Sequence, residues 1–304
     1  MTKARHGIYA AAISPLTSQL KLDRPALAAY CRYLLSEGGC DGVAPLGTTG
    51  EGPSISLRCK LGVPEAFADA GIEPDRAIIG TGCPSIKDTA ELSRAALQAG
   101  YVNVLVLPPY YYKNVGDDGL FEFYSRVIAE VNDSRLRLYL YHFPQMSATP
   151  LSTQLVVRLI AAYGETMAGL KDSSGDFRQS LAFVRATGGI ARNFDIFPSS
   201  EAFLEDGLKA GCAGVISGST NSFGKLARRT LERESPDLPR RIELANAARE
   251  FAMQFPLVPA MKRHEALRSG NPNWLRLLPP LEGLTKDQAE QFDLGLAELR
   301  RRTA

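Results

Sequence analysis

Histidine is scarce in this chain. Its 304 residues include three, His6, His142 and His264, scattered without metal-ligand spacing. A catalytic zinc or a two-histidine metal site is therefore not expected. The five cysteines, Cys31, Cys40, Cys59, Cys83 and Cys212, are odd in number and form no CxxC pair. That argues against both a disulfide framework and a structural zinc site. No stretch approaches the roughly 20 apolar residues that span a bilayer. The opening MTKARHGIYAAAISPLT lacks the apolar core of a signal peptide. Neither sign of charge dominates, with 35 basic and 33 acidic residues and a net charge of +2. Such a balance leaves no electrostatic footprint for nucleic acid or an anionic membrane. The basic run Arg300-Arg301-Arg302 reads as the solvated end of a last helix. A GxSxG elbow and a P-loop are missing, and Gly80-Thr81-Gly82 lacks the third glycine of a dinucleotide fingerprint. The expectation is a reduced, cytoplasmic protein with no metal, no cofactor and neither nucleic acid nor membrane as partner.

What is present is a repeated alternation. Short apolar runs begin at Gly7, Gly42, Ala77, Val102, Arg137, Met167, Phe194 and Cys212. Each is rich in β-branched or aromatic residues and ends in Gly, Pro, Ser or Thr, as a buried strand does. Their continuous rather than alternating apolarity points to a parallel sheet covered on both faces. Amphipathic stretches lie between them. The spacing predicts helices over 23–35, with Asp23 as N-cap, and over 88–99, 120–131 and 204–210. Eight strand–helix units in about 220 residues indicate an α/β fold, a closed (β/α)8 TIM barrel, rather than an open doubly wound sheet. Residues 1–222 are assigned to the barrel. Residues 223–304 carry no strand signal and read as a C-terminal helical extension, helical over 231–267 with a break near Pro256 and Pro259, then over 285–301.

In such a barrel the active site lies at the C-terminal ends of the strands, and four segments there could carry chemistry. Of ten lysines, only Lys171, in Met167-Ala-Gly-Leu-Lys171-Asp172, falls within a predicted strand. Directed into an apolar interior, its ammonium form is penalised by desolvation, leaving a nucleophilic amine suited to Schiff-base chemistry. The competing reading is a strand-end lysine that reaches solvent or pairs with Asp172. Gly47-Thr48-Thr49-Gly50-Glu51 gathers two hydroxyls and closely spaced N–H groups into a concave donor cluster fit for a carboxylate; an ordinary turn has the same composition. Tyr141, ending the fifth strand, could move a proton over a reacting carbon, or be a half-buried aromatic at the barrel mouth. His142, the next residue, would face the surrounding helices because side chains alternate. Tyr110-Tyr111-Tyr112 suits a binding rim or a subunit contact, or a packed loop.

Taken together, GTTGE at 47–51, YHFP at 141–144 and GLKDSSGD at 169–176 resemble the dihydrodipicolinate synthase / N-acetylneuraminate lyase family in order and spacing. The resemblance spans essentially the whole chain. It implies that Lys171 forms a Schiff base with pyruvate or another 2-oxo acid and that Tyr141 shuttles the proton, linked onward through Thr48. It further implies that Gly47 and Thr49 hold the substrate carboxylate and that Ile216 lies beside the lysine. Tyr111 would be inserted from a neighbouring subunit, in a homotetramer built as a dimer of dimers. The sequence also departs from the family. Met146 stands where the synthases place a carboxylate-binding arginine, His142 replaces asparagine, and Ser199-Ser200-Glu201 replaces a segment where glycine and acidic residues are common. Methionine cannot supply an arginine fork. The expectation is an aldolase or lyase acting on a 2-keto-3-deoxy sugar acid or similar hydroxy-oxo acid. The rivals are 4-hydroxy-tetrahydrodipicolinate synthase activity, a Schiff-base dehydratase, and a non-catalytic acid-binding barrel.

Overall fold

The computed structural model describes residues 3–303. Eight strands appear where the apolar runs stand: β1 (Gly7–Ala10), β2 (Gly42–Val43), β3 (Ile79–Gly80), β4 (Asn103–Val106), β5 (Arg137–His142), β6 (Met167–Asp172), β7 (Asp195–Pro198) and β8 (Gly214–Ser217). All named pairings are parallel, β2-β1-β8 and β3 through β7 in order. Two seams close the ring. The Ile78 N–H donates to the Val43 carbonyl at 3.0 Å, and the Ala213 N–H to the Ile196 carbonyl at 2.9 Å.

Between successive strands the chain returns through helices α1 (Arg24–Ser36), α2 (Val63–Asp69), α3 (Ile86–Gln98), α4 (Asp117–Val131), α5 (Thr153–Tyr163), α6 (Phe177–Thr187) and α7 (Leu204–Ala210); α8 (Thr220–Arg229) follows β8. Four of these eight helices start on a side-chain cap, from Asp23, Ser85, Ser152 and Asp176. The Asp23 carboxylate accepts from the Ala26 N–H, as expected. The third helix begins two residues before the expected Asp88, because the Ser85 hydroxyl, not Asp88, takes the cap and accepts the Asp88 N–H. Helix α8 runs across the expected boundary at 222/223, so the barrel's last helix falls on both sides of it.

The extension consists of α9 (Leu238–Met253), α10 (Leu257–Ser269) and α11 (Lys286–Thr303). The break at Pro256 is as expected, but α9 starts at Leu238 rather than 231, after turns around Pro236. Pro259 is accommodated in the first turn of α10, where its missing N–H has no intrahelical partner to lose.

Side chains divide into two cores. Outward-facing strand residues such as Val104, Leu138 and Leu170 pack under the helices. Inward-facing residues, including Tyr9, Leu105, Tyr139, Phe197 and Ile216, fill the lumen. The floor is sealed by the N-terminal segment. Lys3 Nζ and His6 Nε2 both lie 3.0 Å from Oδ1 of the fully buried Asp195, whose Oδ2 accepts the Tyr139 hydroxyl at 2.9 Å.

The ladder between β5 and β6 contains one irregularity. Leu138 pairs with Met167, but Tyr139 pairs with Gly169, so Ala168 is unopposed. This bulge sends both Ala168 and Gly169 toward the lumen: Ala168 belongs to the inner core, and a Cβ on Gly169 would meet the Tyr139 ring at 2.6 Å. From there the ladder runs true, with Tyr141 opposite Lys171 and His142 opposite Asp172.

Candidate active site

The paired end residues of β5 and β6 place Tyr141 and Lys171 side by side at the barrel mouth. Both are buried. The Lys171 amine lies 3.3 Å from the Tyr141 hydroxyl and 4.3 Å from the centre of its ring. The same hydroxyl lies 3.4 Å from Oγ1 of Thr48. Amine, phenol and threonine hydroxyl therefore form one chain of contacts from β6 through β5 to the loop after β2, and Phe143 stacks on the Tyr141 ring at 5.8 Å. The alternative of a lysine paired with Asp172 does not hold. The Asp172 carboxylate faces the helices, where it accepts from Ser180 Oγ at 2.6 Å and the Ser174 N–H at 2.9 Å.

His142 points outward as alternation requires. Its Nδ1 accepts the Leu151 N–H at 3.0 Å and its ring meets Phe183 edge-on. Burial holds its protonation below the usual histidine range, against the opposing pull of Asp172. It is a structural hydrogen-bonder behind the site.

The loop after β2 carries Gly47, Thr48 and Thr49. It is closed by the Glu51 N–H on the Thr48 carbonyl at 3.1 Å and the Gly52 N–H on the Gly47 carbonyl at 3.0 Å. Gly47, Thr48 and Tyr141 border a small cavity together with Gly80, Gly82 and Leu107. Thr49 turns toward β8: a Cβ placed on Gly218 would lie 3.2 Å from Thr49 Oγ1. Ile216 is fully buried in the inner core that includes Tyr141.

The remaining candidates stay on the rim. Tyr111 is 75% exposed, set edge-on against Tyr112, and among the described residues forms no hydrogen bond with Lys171 or Tyr141. Met146 is exposed on the short turn of helix Pro144–Ser147, and Ser199 is half-buried just past β7. A larger cavity of about 780 Å³ opens at the opposite end, lined by Lys3, Arg137, Met167, Asn193 and others. It lies at the N-terminal ends of β5–β7, the stabilising rather than the reactive face of such barrels, and none of the expected site residues borders it.

Sequence reasoning missed what supports the threonine loop. Glu51 and Lys262 of α10 form an ion pair with both side chains fully buried. The extension is tied to the barrel elsewhere by Arg249 of α9, which donates to Ser219 Oγ at 2.8 Å; Ser219 and Ser217 in turn donate to the buried Glu201 at 2.5 and 2.6 Å.

Comparison with known proteins places the chain in a family. Residues 4–236 match the model of the dihydrodipicolinate synthetase family. The chain belongs to that family. A DapA-like lyase of Chloroflexus aurantiacus is 33% identical over 278 residues, covering 90% of this chain and 91% of the relative. An N-acetylneuraminate lyase of Mus musculus is 28% identical, covering 76% of this chain and 71% of the relative. The crystal structure of dihydrodipicolinate synthase from Agrobacterium tumefaciens superimposes with a TM-score of 0.85 at 33% identity, over 97% of this chain and 99% of that one. The fold is accordingly the TIM barrel of this family with its C-terminal helices, and the chain is an enzyme of its carbon–carbon lyase and aldolase class. Among the described residues, no helix is long and apolar enough to cross a membrane.

Proposed function

We propose that Lys171 forms a Schiff base with pyruvate or a related 2-oxo acid, and that the enzyme reversibly cleaves a 2-keto-3-deoxy sugar acid or similar hydroxy-oxo acid. The observation that carries this reading is the contact chain from the Lys171 amine to the Tyr141 hydroxyl and on to Thr48, at 3.3 and 3.4 Å. A barrel that only binds an acid has no need of an amine held against a phenol.

Each step has a residue. The neutral amine attacks the 2-oxo carbon, and the carbonyl oxygen takes protons through Tyr141 and leaves as water. The protonated imine then serves as an electron sink. Tyr141 accepts the proton of the substrate's C4 hydroxyl as the C3–C4 bond breaks, releasing an aldehyde and leaving an enamine. Protonation at C3 and hydrolysis release pyruvate and restore Lys171. Gly47 and Thr49 hold the carboxylate, and Ile216 packs beside the lysine. Tyr111 reaches the relay from a neighbouring copy in a homotetramer, and with its five unpaired cysteines the protein works in the reducing cytoplasm.

The choice of aldehyde partner rests on Met146. A carboxylate-bearing aldehyde calls for a charge-assisted fork, and an exposed methionine offers none. The partner is instead an uncharged hydroxyaldehyde, which meets Met146 and Ser199 on the rim. That disfavours 4-hydroxy-tetrahydrodipicolinate synthesis.

Intact mass after incubation with pyruvate and borohydride tests the core of the proposal. A single adduct is expected on the wild type, mapped to Lys171 and missing in Lys171→Ala. Folded wild-type protein without an adduct would remove pyruvate chemistry. Cleavage and dehydration separate on products, because cleavage alone releases pyruvate.

A further inference from the structure

Glu51 ends the GTTGE segment in a left-handed backbone conformation, φ 57°, which residues other than glycine and asparagine seldom adopt. Such a conformation persists where the surroundings over-determine it. Here the surroundings are the C-terminal extension. One carboxylate oxygen pairs with Lys262 Nζ on α10, and the other accepts the Leu278 N–H at 2.7 Å. Lys262 also donates to the Arg276 carbonyl at 2.6 Å, and the Arg276 guanidinium to the Leu16 carbonyl past β1 at 3.1 Å. Neither charged side chain touches solvent.

A buried ion pair is a costly way to hold a fold together, since apolar residues of similar volume often serve stability as well or better. It does fix direction. A carboxylate clamped by an ammonium on one oxygen and an amide N–H on the other cannot rotate, and neither can the backbone that carries it. That backbone is the far end of the turn presenting Thr48 and Thr49, closed by the Glu51 N–H itself on the Thr48 carbonyl three residues earlier. The residue just before Glu51 is held separately by Ser14, whose hydroxyl donates to the Gly50 carbonyl at 2.6 Å.

We infer that Glu51 and Lys262 are positioning residues for substrate-carboxylate recognition. Their pair sets the orientation of the 47–50 turn, so the extension acts on the active site through α10. The inference rests on the Schiff-base reading above and deepens it. It predicts a defect far larger for substrates that bear a carboxylate than for those that do not, which loss of fold alone would not produce.

The test compares borohydride trapping of pyruvate with that of acetone, a ketone lacking the carboxylate, across a concentration series in the wild type, E51Q and the double variant E51M/K262M. The double variant replaces both charges by apolar side chains of similar reach. Wild type is expected to half-saturate at far lower pyruvate than acetone. In either folded variant that preference shrinks at least tenfold, because half-saturation rises far more for pyruvate than for acetone. An unchanged preference in a folded variant overturns the inference while leaving Lys171 chemistry intact. An equal loss with both ketones, or failure of both variants to fold, assigns the pair to the fold alone and overturns it too. Wild-type protein that traps neither ketone brings down the Schiff-base reading itself, and this inference with it.

Discussion

His264 shows how one buried residue adds to the acid sensitivity of the molecule. It lies inside α10 with its ring 5.8 Å from that of Phe223, and among the described residues its Nδ1 has no hydrogen-bond partner. Burial, then the nearby Arg300 and Arg268, push its protonation down to about 4. Between the ordinary histidine value of 6.5 and about 4, the unfolded chain binds a proton that the folded chain refuses. Stability is therefore full above that window and falls as the pH drops through it, by on the order of 3 kcal/mol if the shift is fully expressed. His264→Leu is expected to flatten the fall of Tm between pH 7 and pH 4.5; thermal melts that keep the wild-type slope would refute this. At this scale the sequence was readable where a residue's type is unusual for its place. Lys171 is a lysine in an apolar strand, and His142 follows from alternation once Tyr141 faces inward. Lys262 was not readable, because on a helix it looks like any of the chain's solvated lysines. Nothing local distinguishes a lysine that reaches water from one that reaches Glu51, over two hundred residues away in sequence.

Elements were legible in kind and less so in extent. All eight strands stand on the apolar runs, since burial on both faces leaves a continuous apolar signal. Ends depend on which hydroxyl or carboxylate takes the cap, and that is why the third helix starts at Ile86, after Ser85, rather than at the expected residue 88. The extension has a weaker pattern still, because its helices bury residues on several sides. Its cohesion comes from aromatic contact: Phe292 of α11 is fully buried, stacked on Phe251 at 5.2 Å and edge-on to Phe255 at 5.3 Å. Phe292→Ala should cost about 3–5 kcal/mol, read as a lower denaturation midpoint with an unchanged slope. A loss below 1 kcal/mol would mean that α11 does not depend on this contact.

For the molecule as a whole, Tyr111 and Tyr112 stand exposed at the barrel mouth, where the proposed site would take a residue from a neighbouring copy. If neighbouring copies complete it, sedimentation should give four times the 33.0 kDa chain mass. Tyr111→Phe and Lys171→Ala, each crippled alone, should regain activity when their subunits are mixed, because hybrids then contain sites with both groups. Mixtures no better than the sum of their parts would show each copy to be self-sufficient. The closed ring also gives the unopposed Ala168 a meaning beyond local geometry. A strand in an open sheet can slide along its edge to absorb a change in length, but one in a barrel is gripped from both sides. β6 thus carries a spare link. A relative one residue shorter between Met167 and the lysine would still set its amine level with the tyrosine, in a plain ladder. One residue longer would need a second unopposed residue, or would turn the amine out among the helices. Length tolerance ahead of Lys171 is one-sided: the strand can lose a residue and keep Lys171 level with Tyr141, but gaining one demands a second irregularity.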